Sequence, residues 1–90
     1  MVNDNRDADV CRVCGLDQQE RIWGDNDHSP TFEICDCCGA EFGYHDFTLE
    51  GIKAHRERWL TNDGKWWGPK AKPPNWSLEE QMKHIPAKYN

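Results

Sequence analysis

Cys11-x2-Cys14 and Cys35-x2-Cys38 are two cysteine pairs with twenty residues between them, and a glycine, Gly15 or Gly39, follows each pair at once. Paired thiols at this spacing are the pattern of a four-thiolate site of the ribbon type, held from two hairpin knuckles. Glycine suits the position after each knuckle, because the chain turns back there and positive φ carries no steric cost for it. Four soft thiolates in a closed tetrahedron suit zinc in a structural role. One structural zinc ion bound by Cys11, Cys14, Cys35 and Cys38 is therefore the expected cofactor. Such a site has no open position at which to activate water, and no enzymatic activity is expected.

Other residues with chemical potential are less ordered in their spacing. Cys37 lies between two of the expected ligands, and only His45 is a nearby base in sequence, so a packed thiol is the plainer reading than a nucleophile. His28, His45, His55 and His84 lack the paired spacing of a second metal site. The five tryptophans are Trp23, Trp59, Trp66, Trp67 and Trp76, and most fall among the bases of the second half. Two readings stay open for them. The cluster can form an aromatic and basic surface, either a protein hot spot or, through Lys65, Trp66, Trp67, Lys70 and Lys72, a stacking platform for single-stranded nucleic acid. Alternatively Trp59 and one of Trp66 and Trp67 are core, and Trp76 is a clasp on the tail.

The positioning elements must come from a chain of 90 residues, 37% hydrophobic and 30% charged. A domain of this size has little margin against chain entropy and is often stapled by metal or disulfides. An odd cysteine count in two tight clusters favours metal over disulfides. Residues 1–9 (MVNDNRDAD) do not read as a signal peptide, and no apolar run is long enough to cross a bilayer, so a cytoplasmic location without membrane contact is expected.

Net charge is −5 but unevenly spread. Residues 1–50 carry twelve acids against Arg6, Arg12 and Arg21, and residues 51–90 carry eight bases against four acids. An acidic half matches a basic protein better than a phosphate backbone. Asp25, Asp27, Glu41, Asp46 and Glu50 are the acids expected to face a partner.

Alternating or β-favouring stretches at Arg21–Trp23, Thr31–Ile34 and Ala40–Tyr44 read as short strands around a turn-rich segment, 24–30. Thr48 caps a helix in which Leu49, Ile52, Arg56 and Trp59 recur at helical spacing, and Asn62-Asp63-Gly64 ends it. Pro69, Pro73 and Pro74 mark an extended connector, and Ser77 with Glu80 opens a short final helix that stops by Pro86. The expected class is α+β: a small antiparallel zinc-ribbon-like sheet, one main helix, and a Trp-rich tail ending in a short helix. The expected organisation is a flexible acidic segment at 1–9, a ribbon domain with its packed helix at 10–67, and a proline-containing tail at 68–90.

The first knuckle CRVCG, the run FEICDCCGAEFGY, the R-x-R-W of Arg56, Arg58 and Trp59, and the later GKWW resemble the cysteine-rich CPCC-type zinc-ribbon proteins, small proteins of bacteria. Glu33-Ile34-Cys35 and Phe42 carry the match. Arg12-Val13 in the first pair and the lack of proline in either knuckle depart from it. Proteins of this kind are similar in size and acidity to the immunity proteins of interbacterial toxin systems. The resemblance implies a binding module whose partner is a bacterial toxin domain, with nucleic-acid binding as the alternative.

Overall fold

The computed structural model describes residues 6–26 and 28–90. Each knuckle closes on itself by the same set of backbone hydrogen bonds. In the first, Cys11 N donates to Leu16 O, Gly15 N to Cys11 O and Gln18 N to Asp9 O, at 2.9, 2.9 and 2.8 Å. In the second, Cys35 N donates to Ala40 O, Gly39 N to Cys35 O and Phe42 N to Glu33 O, each at 2.9 Å. Gly15 and Gly39 take φ of 87° and 77°, the left-handed turn their positions require. The two knuckles are thus one motif repeated.

The expected antiparallel sheet is not present. Among the described residues there are two isolated bridges, Val10 with Asp17 and Ile34 with Glu41, and no strands. The physical reason is local. The turn amides and carbonyls are satisfied inside each knuckle, and the pairing stops after a single bridge. Phe32 at φ 62° breaks the Thr31–Ile34 stretch, and the turn bonds from Tyr44 N and His45 N to Glu41 O curl the chain after Ala40. Ile22 N instead reaches Ala8 O, and Thr31 N reaches Ile22 O, across loops. The fold is therefore two knuckles and irregular loops packed against helices rather than an α+β ribbon.

Helix α1 spans Leu49–Thr61. The Thr48 hydroxyl accepts from Gly51 N at 3.0 Å, and Glu50 lies in the first turn where the helix dipole favours a negative charge. Its inward face is Ile52, Arg56 and Trp59, while Leu49 is exposed. Gly64, at φ 65°, closes the end by donating to Trp59 O. Helix α2 spans Leu78–Met82, with Ser77 Oγ accepting from Glu80 N at 3.2 Å. The Glu80 carboxylate goes to Lys83 at 2.7 Å rather than back to the cap. Single 3-10 turns occupy Arg6–Asp9, Pro69–Ala71 and Ala87–Tyr89.

The core is built around the cysteines. Val13, Ile22, Trp23, Ala40, Phe42, Ile52, Trp59 and Trp66 surround them. Trp66 is the buried member of the Trp66–Trp67 pair, and Trp76 packs edge-on against it with ring centroids 5.5 Å apart. Trp76 therefore does pin the tail. No helix is long and apolar enough to cross a membrane among the described residues.

Candidate metal centre

The knuckle repeat delivers four sulfurs to one point. The Sγ atoms of Cys11, Cys14, Cys35 and Cys38 all lie within 4.8 Å of one another, and all four residues are buried. Cys11 Sγ is 3.6 Å from Cys38 Sγ, and Cys14 Sγ is 3.6 Å from Cys35 Sγ. These separations are far beyond a disulfide bond of about 2 Å. A tetrahedron with metal–sulfur distances of about 2.3 Å has edges of about 3.8 Å. The sulfurs therefore fit a single metal ion, each knuckle supplying two ligands and each close contact running between knuckles.

Without a cation, ionisation of Cys14 and Cys38 is disfavoured. Burial raises the pKa of Cys14, and hydrogen bonding with Cys11, Cys35, Cys37 and Cys38 adds to it. Hydrogen bonding with Cys11 raises that of Cys38. Hydrogen bonds from Cys11, Cys14 and Cys38 concentrate negative charge on Cys35, whose pKa is lowered. One thiolate is solvated by its neighbours, and full ionisation of the set calls for a metal cation.

Supporting groups orient the ligands. Gln18 Nε2 donates to Cys35 Sγ at 3.4 Å. His55 Nε2 lies 2.9 Å from Cys38 O, which it meets as a donor. Gln81 Nε2 donates to Cys14 O at 3.3 Å and to Cys37 Sγ at 3.0 Å, while its carbonyl oxygen accepts from Trp76 Nε1 at 2.6 Å. Cys37 is thus a buried, hydrogen-bonded thiol outside the set of four. Arg56 is 9% exposed, and its guanidinium donates to Val13 O at 2.7 Å and to Arg12 O and Tyr89 O at 2.8 Å. Burial lowers its pKa, and the charges of Cys11, Cys14 and Cys38 push it back up. The guanidinium therefore offsets charge gathered at the sulfurs while tying the first knuckle to the C-terminus.

Of the acids expected to meet a partner, one is not on the surface. Asp46 is fully buried: Oδ2 accepts from Trp23 Nε1 at 2.9 Å and Oδ1 from Gly43 N at 2.6 Å. It is a structural residue and not a surface contact. Asp25 is fully exposed beside Arg21 at 3.8 Å, Glu50 is exposed on α1, Glu41 is half-buried, and Asp27 lies outside the described residues. On the basic side, Lys65, Lys70, Lys72 and Trp67 are exposed. Trp66 is buried, its indole nitrogen without a hydrogen-bond partner among the described residues, and it offers no stacking face to a base. Arg56, Gln81 and Asp46 are the structural residues that sequence reasoning missed. A signal existed only for Arg56, a charge placed on the apolar stripe of α1.

No family model matches the chain, and no solved structure matches it. The chain is similar to the uncharacterized protein YozI of Bacillus subtilis (strain 168), at 30% identity over 80 residues that take in 71% of this chain and 66% of that protein. It spans just under two thirds of that relative's length.

Proposed function

We propose that this chain is a small zinc-stabilised protein-binding module, most concretely an immunity protein that binds and neutralises a cognate bacterial toxin domain. The observation that supports the module most is the convergence of four buried cysteines from two repeated knuckles. Zinc is the ion that an all-thiolate tetrahedron suits, and four protein sulfurs would fill its coordination sphere. The ion then holds the fold, and the loops it fixes are left to dock. The acidic first half adds an electrostatic match to a basic partner, and the resemblance to CPCC-type ribbons adds the toxin-immunity form.

Co-expression with the product of the neighbouring gene tests this. A complex that survives size-exclusion chromatography, with protection of cells expressing that product, supports the immunity form; neither complex nor protection removes it. The alternative, single-strand binding through Trp67, Lys65, Lys70 and Lys72, predicts affinity that falls steeply with salt. Flat titrations at low salt remove that one.

A further inference from the structure

The two knuckles share their hydrogen bonding but differ in what covers them. The C-terminal tail roofs the first so closely that a Cβ on Gly15 would lie 2.7 Å from Gln81 O and 2.9 Å from Ile85 N. The second is bordered on one side by Trp67 and Gly68, whose amides donate to Cys37 O and Asp36 O. Beside it Phe32 and Ile34, which lead into Cys35, and Trp67 are exposed, while Phe47 stacks on Trp23, next to the first knuckle's Arg12. Phe32 is 61% exposed, Ile34 40%, Tyr44 and Phe47 70%, Leu49 46% and Trp67 59%. Five of these six lie between residues 32 and 49, and the sixth, Trp67, rests its ring on Gly39. Phe32 in turn packs over Gly43. Singly scattered apolar residues are ordinary on a monomer, whereas Phe32, Ile34 and Trp67 all flank one knuckle, an arrangement that suits docking.

The charges at its edge select the occupant. Glu20 and Glu33 are both exposed and close enough to repel, which raises the Glu20 carboxyl pKa. Asp36 is exposed beside Gly68. The ion pairs among the described residues are Arg21 with Asp25 and Lys83 with Glu80, and none of these three acids takes part in one of them. A guanidinium placed there would relieve the repulsion and stack on an aromatic face. The molecule uses that chemistry internally, with Arg12 lying 4.3 Å from the Trp23 ring centroid and 4.8 Å from that of Tyr89. The same acids would repel a phosphate backbone.

We propose that the surface carrying Phe32, Ile34 and Trp67, edged by Glu20, Glu33 and Asp36, docks a cationic segment of a partner protein in which arginine or lysine flanks an apolar side chain. This rests on the protein-binding reading above and assigns its face and its chemistry.

The zinc-loaded full chain, labelled for NMR, is titrated with three probes: a short peptide in which arginines flank leucine, the same peptide with glutamates for the arginines, and a single-stranded oligonucleotide. The arginine peptide is expected to shift the Trp67 indole and the amides of the second knuckle. Glu33→Lys should weaken it about fivefold or more, while Glu57→Lys, the same charge change on the exposed face of α1, should weaken it less than about twofold. Equal losses in both variants, binding elsewhere, or no binding of the arginine peptide overturns this surface. Binding of the glutamate peptide instead overturns its chemistry and leaves the protein-binding module standing. Binding of the oligonucleotide alone overturns both.

Discussion

Replacing Arg56 by methionine keeps much of the side chain's apolar stem and deletes its guanidinium, which makes three hydrogen bonds of 2.7–2.8 Å to the carbonyls of Val13, Arg12 and Tyr89. A hydrogen bond involving a charged group contributes about 1.5–3 kcal/mol, and leaving a buried carbonyl unmet costs about as much. The three bonds share one group and do not add. Removing a buried cation also returns part of its desolvation cost. A net loss of about 3–4 kcal/mol is expected, a large share of the roughly 10 kcal/mol available to a domain of this length. The melting temperature should fall by about 15 °C. Denaturant unfolding followed by tryptophan fluorescence measures it, at one fixed free zinc concentration because bound metal adds stability by mass action. Arg56→Lys keeps the charge but loses the fork, and should recover less than half of the loss. Stability of Arg56→Met within about 0.5 kcal/mol of the parent would refute the view that this residue ties the first knuckle to the C-terminus.

Three further outcomes follow from the same geometry. Gly15→Ala should destabilise by at least about 1 kcal/mol more than Gly39→Ala, since both positions have positive φ but only the first faces backbone, the second meeting the movable Trp67 ring; paired denaturation curves decide it. Asp46→Ala should cost about 2–4 kcal/mol by stranding the Trp23 indole and Gly43 amide, whereas alanine at the exposed Asp25 should change stability by less than about 0.5 kcal/mol in the same assay. His45 is held below its ordinary pKa of 6.5 by burial, with His55 and Arg58 adding to it. The unfolded chain therefore takes up the proton first, so stability is full above about pH 6.5 and declines as pH falls. His45→Gln should flatten that slope in stability measured between pH 7 and pH 5 at saturating zinc.

The grouping of the four cysteines was legible because a knuckle is a local object: two thiols and a following glycine fix its geometry within five residues. The starts of both helices were legible for the same reason, with Thr48 and Ser77 each accepting a hydrogen bond from an amide three residues on. The sheet was misread because strand propensity in Thr31–Ile34 and Ala40–Tyr44 says nothing about a pairing partner. The knuckles satisfy their own backbone, and Phe32 takes a left-handed conformation that no side-chain pattern announces. Exposure was equally illegible for single residues. Asp46 and Glu50 look alike in sequence, yet one is sealed under Trp23 and the other faces water. Trp66 and Trp67 are adjacent and part in the same way, one into the core and one onto the second knuckle.

Metal analysis of the purified chain and its five single cysteine-to-serine variants, prepared without chelators, bears most directly on the four-sulfur centre. One zinc per chain is predicted for the parent and for Cys37→Ser, with marked loss in the variants at Cys11, Cys14, Cys35 and Cys38. A parent nearly free of metal, or a Cys37→Ser variant as depleted as the other four, would contradict it.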